Sequence, residues 1–298
     1  MIIDCHYHLE ERVFTKADFL KEMDRAGVEK TALMGSMIEP FAEPPKFMLG
    51  ILQKFLESRS LRGLGRRLIS NFTPKGEVKI LGKPYQIVRD PENGPVFDAV
   101  SENPDRFLGW AFVNPKGKKN PVEELNRYRD MPGFIGVKAH PFWHHFAPIE
   151  LLPVAKVLAG MGKPLLIHRG FGEEGEIGGL LRAAPGLKLI LAHTGFPDYS
   201  DMWREALSIP NVYFDLSQTS YVSEKATRDI VAYLGPDRLL FGTDGPYGFH
   251  DEHGRYDYGF IKRRIERLFP QESVRRKLLG DNFAALAGMA GSRLAGTA

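Results

Sequence analysis

The sequence predicts a single (β/α)8 barrel, and three observations predict it. Eight short apolar runs rich in strand formers alternate with helix-like segments, a pattern that implies a parallel sheet. From the third run onward they recur at roughly 23–30 residues, which is room for a strand, a loop, a helix and a second loop. The chain has 298 residues, close to the usual length of a (β/α)8 barrel. Eight strands imply closure rather than an open, doubly wound sheet.

The runs are Met1–Cys5, Lys30–Met34, Phe107–Val113, Phe134–Ala139, Pro164–Ile167, Leu187–Ala192, Asn211–Leu216 and Arg238–Gly242. Each is too short for a helix, mainly apolar and rich in strand formers, as a strand buried on both faces should be. Helix signals fall between them. Thr15 stands where an N-cap belongs, and Gly27 where a C-cap does. Asn120-Pro121 opens VEELNRYRD with proline at the first helical position, and Pro148 opens a run that closes on glycines. Residues 1–289 form one domain in this reading, with 290–298 a flexible tail.

One gap is too long for the pattern. Residues 36–88, between the second and third runs, form a helical insertion. It contains the amphipathic run from Lys46 to Leu56 and then a basic segment with Arg59, Arg62, Arg66 and Arg67. Between Glu39 and Lys83 there are 9 basic and 4 acidic side chains, a net +5 that exceeds the whole chain's +3. A segment following a barrel strand lies on the active-site face. The insertion is therefore a lid, a subunit contact that would make a homodimer, or a helical excursion with a solvated basic face.

Composition narrows the function. A net charge of +3 is too small to suggest a nucleic-acid partner. No apolar stretch approaches the roughly 20 residues a membrane span needs. The lone cysteine, Cys5, allows no internal disulfide, and the N-terminus lacks a signal-peptide pattern. A cytoplasmic enzyme acting on a small molecule is the expectation.

Candidate chemistry sits at the ends of the predicted strands. The first ends Asp4-Cys5-His6-Tyr7-His8, and alternation along a strand points His6 and His8 the same way. The fifth ends in His168, the sixth in His193 and the eighth in Asp244. Four of the nine histidines thus fall at strand ends, and in a barrel those ends converge.

These motifs, with GVKAHP, LIHRG, LAHTG, FGTDGPYG and the closing LLGDNFAAL, resemble the amidohydrolase superfamily. Nearly the whole chain takes part. The resemblance is to amidohydrolase family 2, the aminocarboxymuconate-semialdehyde decarboxylase-like metal-dependent hydrolases. It implies that His6, His8 and His168 bind one divalent metal ion, with Asp244 completing or flanking the set. Zinc suits such ligands best, while manganese, iron or cobalt would fit them too. His193 would be the acid/base that is not a ligand, and Asp244 would also carry a proton. The metal motif begins at residue 4, so no flanking β-sandwich is expected. Related enzymes bridge two metals through a lysine on the fourth strand. Lys138 stands on that strand, but its KAHP setting resembles family 2, where such a lysine is not a bridge, which leaves Lys138 a contact for a substrate anion or a group that supports the ligands from behind.

Lys138, His140, Arg169 and Trp143 are the candidate substrate-binding residues, although Arg169, next to His168 in sequence, would equally point outward into a salt bridge. His144 and His145 share a loop with Trp143. Asp215, ending the seventh strand, would hydrogen-bond a ligand histidine. Tyr247, His250 and His253 follow Asp244 in a polar loop that would close over the site. Three functions remain: a hydrolase using metal-activated water on an amide, a lactone or a similar carbonyl; a non-oxidative decarboxylase of an unsaturated or aromatic acid using the same residues; and a barrel that binds without turnover, which the full ligand set argues against.

Overall fold

The computed structural model describes residues 1–41, 44–248, 250–251 and 253–289, so the tail read at 290–298 lies outside the described residues. Eight parallel strands form one sheet in the order β1 (Ile3–Leu9), β2 (Lys30–Gly35), β5 (Phe107–Phe112), β6 (Phe134–Ala139), β7 (Pro164–Ile167), β8 (Lys188–Leu191), β9 (Val212–Asp215) and β10 (Leu239–Leu240). All eight apolar runs of the sequence are strands. β10 is the shortest, and the barrel closes largely through residues flanking it. Cys5 N–H donates to Phe241 O at 2.9 Å, Asp244 N–H to His6 O at 2.7 Å and His8 N–H to Gly245 O at 2.7 Å.

Alternation along the strands divides the core in two. Leu33, Leu165, Ile167, Leu189, Leu191 and Phe214 face outward into the layer shared with the helices. Ala32, Met34, Trp110, Ile135, Leu166 and Ile190 fill the barrel, which Phe283 and Leu286 of the closing helix plug from below. Helix α1 (Lys16–Ala26) begins and ends as its sequence suggested: the Thr15 hydroxyl accepts from Asp18 N–H at 3.2 Å, and Gly27 turns left-handed at φ 66°.

The 36–88 segment differs from a purely helical insertion. It holds α2 (Lys46–Glu57) and α3 (Arg62–Ile69), but then an antiparallel hairpin, β3 (Glu77–Ile80) and β4 (Lys83–Gln86). Leu81 and Gly82, both at positive φ, make its two-residue turn. α2 and α3 approach closely enough that a Cβ on Gly65 would lie 2.8 Å from a Leu56 methyl. Leu56 is fully buried between them. The pair is tied to the barrel by Glu57, which accepts from Ser223 N–H at 3.0 Å and Ser223 O–H at 2.8 Å, and by Arg62, which donates to Asp201 at 3.2 Å. Among the described residues no helix is long and apolar enough to cross a membrane.

Candidate metal centre

β1 does more than end at the site. Its pairing with β2 slips between Asp4, opposite Thr31, and Tyr7, opposite Leu33. Such a bulge reverses the alternation of side chains. Ile3 and Cys5 pack inside the barrel and Tyr7 packs outside it, against Phe19. His6 and His8 thereby turn inward directly above the packed interior. Asp4, fully buried, holds the bend by accepting from His6 N–H at 3.0 Å, Thr243 N–H at 3.0 Å and Thr243 O–H at 2.7 Å.

The opposite wall is built just past β8 and β10. His193 and Asp244 both sit at φ 57°, in the left-handed region that non-glycine residues seldom occupy. The turn takes each out of its strand at the mouth of the barrel. His6 Nε2 then lies 2.9 Å and His8 Nε2 3.4 Å from the same atom, Asp244 Oδ1. Gln218 donates to the other oxygen, Oδ2, at 2.9 Å.

The second nitrogen of each histidine shows what the first is for. His6 Nδ1 faces Asp215 Oδ2 at 2.9 Å, His8 Nδ1 faces Gly35 O at 2.8 Å and His168 Nδ1 faces Arg169 O at 3.0 Å. These partners only accept, so each Nδ1 carries a proton, and Nε2 is the atom that each ring can offer to a metal. Two imidazole nitrogens and a carboxylate oxygen converging on one point need positive charge there, either a metal ion or a proton on His6, which burial and Lys138 oppose but Asp244 and Asp215 favour on balance. The donor atoms of His6, His8 and Asp244 all fall within 4.8 Å of one another, and their chemistry fits a divalent ion. A second group, His6, His193 and Asp215, is instead a hydrogen-bonded brace.

His168 does not join the tight group. It reaches the same floor from the end of β7, its ring 4.6 Å from that of His193 and stacked at 4.2 Å on His140. Asp215 holds His6 and also accepts from His193 N–H at 2.9 Å and Ser217 N–H at 3.0 Å. Ser217 donates its hydroxyl proton to Asp215 as well. That hydroxyl must then accept from His193 Nδ1, 2.9 Å away. His193 Nε2 is left unprotonated and buried, with no hydrogen-bond partner among the described residues, 3.8 Å from Asp244 Oδ2.

Electrostatics agree with this division. Burial pulls the His193 imidazole down to about 4, which keeps it neutral. Burial also holds His140 and His168 well below the usual histidine value. Burial would raise the Asp244 carboxyl, but the imidazoles around it, His6 foremost, outweigh burial and hold the group well below the usual carboxylate value. Lys138 projects inward from β6 to 3.2 Å from His6 Nε2, and burial lowers its ammonium to about 8.

Above this floor opens a cavity of about 380 Å³, lined by His8, Lys138, His140, Trp143, His168, Gln218 and Asp244 and walled by the insertion. Arg169 is not brought to it. Its guanidinium donates to Gly175 O at 2.7 Å and to Asp198 at 2.9 Å, away from the cavity. His144 is buried against Val88 O at 3.0 Å, and His145 pairs with Glu174 at 2.8 Å. Tyr247 lines the cavity, whereas His250 bridges to Tyr256 beyond it. The sequence reading passed over Ser217, Gln218 and Tyr221. The signal available for them was their place immediately after a barrel strand.

The family model for amidohydrolases of the family 2 branch matches residues 86–287. The chain belongs to the amidohydrolase family. Among characterised relatives of this amidohydrolase is 4-sulfomuconolactone hydrolase of Rhizobium radiobacter, 27% identical over 154 residues. That match covers 49% of this chain and 46% of the relative, so the chain spans about half the length of the enzyme it matches. Among solved structures, 4-oxalomesaconate hydratase of Rhodopseudomonas palustris superposes with a TM-score of 0.60 at 15% identity, over 97% of this chain and 96% of that one. The 2,6-dihydroxybenzoate decarboxylase of Rhizobium does so with a TM-score of 0.59 at 17% identity, over 97% and 99%. At these identities the structural likeness speaks for the barrel fold.

Proposed function

We propose that this amidohydrolase is a metal-dependent hydrolase that opens a carbonyl substrate, a lactone or an amide, with water. His6 and His8 through Nε2 and Asp244 through Oδ1 would hold one divalent ion, with His168 Nε2 a further imidazole beside them. Zinc suits this mixture of imidazole and carboxylate best. Such an ion polarises a carbonyl and lowers the pKa of water toward 7.

The single observation that carries the reading is His193 Nε2, a buried acceptor with no hydrogen-bond partner among the described residues, beside the Asp244 carboxylate. A neutral imidazole with a free lone pair accepts a proton from attacking water at Nε2. Burial has already removed competing solvent. Ser217 and Asp215 keep its proton on Nδ1 and its ring in place. Gln218 fixes the rotation of the Asp244 carboxylate. Lys138, at the cavity floor, offers positive charge to the developing oxyanion. The proton taken by His193 then passes to the leaving oxygen or nitrogen.

The relative's name includes a lactone, which makes lactones the first class to assay. The Lys138 ammonium, which lines the cavity 3.2 Å from His6 Nε2, would also pair with a substrate carboxylate, which supports a second reading, decarboxylation, through the same floor. Metal-reconstituted protein incubated with lactones, amides and aromatic acids separates the two. Acid release without CO₂ supports hydrolysis, and CO₂ release supports decarboxylation. Turnover unchanged in His193→Asn would remove the mechanism.

A further inference from the structure

The floor of the cavity and its walls have opposite chemistry. The floor is made of imidazoles, a carboxylate and an ammonium. The walls come from the insertion, where Leu49, Leu52, Ile69, Val78 and Ile80 face the space. Among the described residues that line it, Lys79 is the only ionisable one from the insertion, and none is an arginine. A small polyanion would find little there to hold its second and third charges, since arginine is the usual fork for carboxylates.

The volume points the same way. About 380 Å³ lies in the range of pockets that enclose a drug-sized ligand, well beyond what one reacting carbonyl and its ring occupy. The apolar lining continues outward to the rim. Met48, Leu68 and Leu81 line the cavity and are also 40%, 53% and 53% exposed. Most surfaces of this kind are covered or functional. Here the exposed residues lead into a wall of the same character, above a reactive floor.

We infer that the substrate is amphiphilic. It carries its hydrolysable carbonyl at one end and a medium-length alkyl or aryl arm that lies against α2, α3 and the hairpin. This rests on the hydrolase reading above. For a lactone, the oxygen of water bonds to the acyl carbon and the acyl–oxygen bond breaks. The ring oxygen leaves with the proton that His193 took, giving a hydroxy acid and consuming one water. The arm does not react, and its burial supplies specificity.

The test is a chain-length series on the metal-reconstituted protein. γ-Lactones from γ-butyrolactone to γ-dodecalactone are compared by kcat/KM. In parallel, 2-alkylcyclopentanones, which cannot be hydrolysed, are titrated calorimetrically. Each buried methylene should improve either quantity about fourfold until the cavity is filled. Leu52→Asn and Val78→Asn should flatten that slope. If ketone affinity climbs with chain length while no lactone turns over, the apolar arm stands and the hydrolase reading falls. If lactones turn over with no dependence on chain length, and the ketones bind equally well at every length, the inference is overturned and the hydrolase reading survives.

Discussion

Replacing Asp215 with asparagine tests how the site is held. One carboxylate oxygen, Oδ1, receives His193 N–H at 2.9 Å and Ser217 N–H at 3.0 Å, while Oδ2 receives His6 Nδ1–H at 2.9 Å. An asparagine of the same shape keeps its carbonyl oxygen against the two backbone donors. Its amide nitrogen then faces His6 Nδ1. Two donors cannot share that contact, so His6 either rotates or moves its proton to Nε2, the atom that faces Asp244. In both cases the lone pair needed for a metal is lost from its place. A hydrogen bond to a charged group contributes about 1.5–3 kcal/mol, and about 1.4 kcal/mol is a tenfold change in affinity. The expected weakening is therefore about 10- to 100-fold, the range usual when the partner of a ligand histidine is altered. Competition for Zn²⁺ against a chromophoric chelator measures it directly, without any substrate. Far-ultraviolet circular dichroism confirms that the barrel persists. An Asp215→Asn protein that binds Zn²⁺ within twofold of the parent would refute the argument that this carboxylate orients His6 for metal.

Three further outcomes are expected. His193→Asn should keep its metal content, since His193 is outside the ligand group, yet lose about 10²- to 10⁴-fold in kcat; equal loss of metal would make it a ligand instead. Leu56→Ala should cost about 2–5 kcal/mol in urea unfolding, because Leu56 is fully buried against Gly65 where α2 meets α3; a cost below about 0.5 kcal/mol would mean the helix pair adds nothing to the cooperative unit. His144 is buried and lowered to about 4 from an ordinary 6.5, so the folded state binds fewer protons than the unfolded one. Stability present above pH 6.5 should fall as pH drops toward 4, by up to about 3 kcal/mol. His140, His168 and His193 add to the same fall, so His144→Gln should make the slope shallower by His144's share, and parallel pH profiles for the two proteins would contradict it.

The barrel was legible because its strands are buried on both faces and so read as unbroken apolar runs. Phe134–Ala139 and Pro164–Ile167 match their runs residue for residue. The hairpin at Glu77–Gln86 was hidden because its strands are short, half-exposed and interrupted by Pro84, and because the apolar run of α2 before it suggested helix throughout. His6, His8, His193 and Asp244 declared themselves by residue type at strand ends. The bulge that aims the first two did not, since it depends on pairing with β2 and on side chains from the other end of the chain. Arg169 shows the converse. Adjacency to His168 suggested the site, but consecutive residues diverge, and its guanidinium pairs with Asp198. Ser217 and Gln218 sit in an ordinary polar stretch, and only the fold brings their side chains to His193 and Asp244.

The seam that closes this barrel is also the proposed metal centre. Asp4 and Thr243, 239 residues apart in sequence, are hydrogen-bonded across it, and His6 and Asp244 meet just above. During synthesis the N-terminal histidines emerge first and wait for their carboxylate. At about 5–20 residues per second, that wait is on the order of tens of seconds. A nascent chain holds two imidazoles and no completed site, so under the proposed ligand set metal would not load until the last strand is laid in. Loading at such a site would thereby report that the whole barrel has closed, and a chain truncated before Asp244 would lack both the closing seam and the proposed carboxylate ligand.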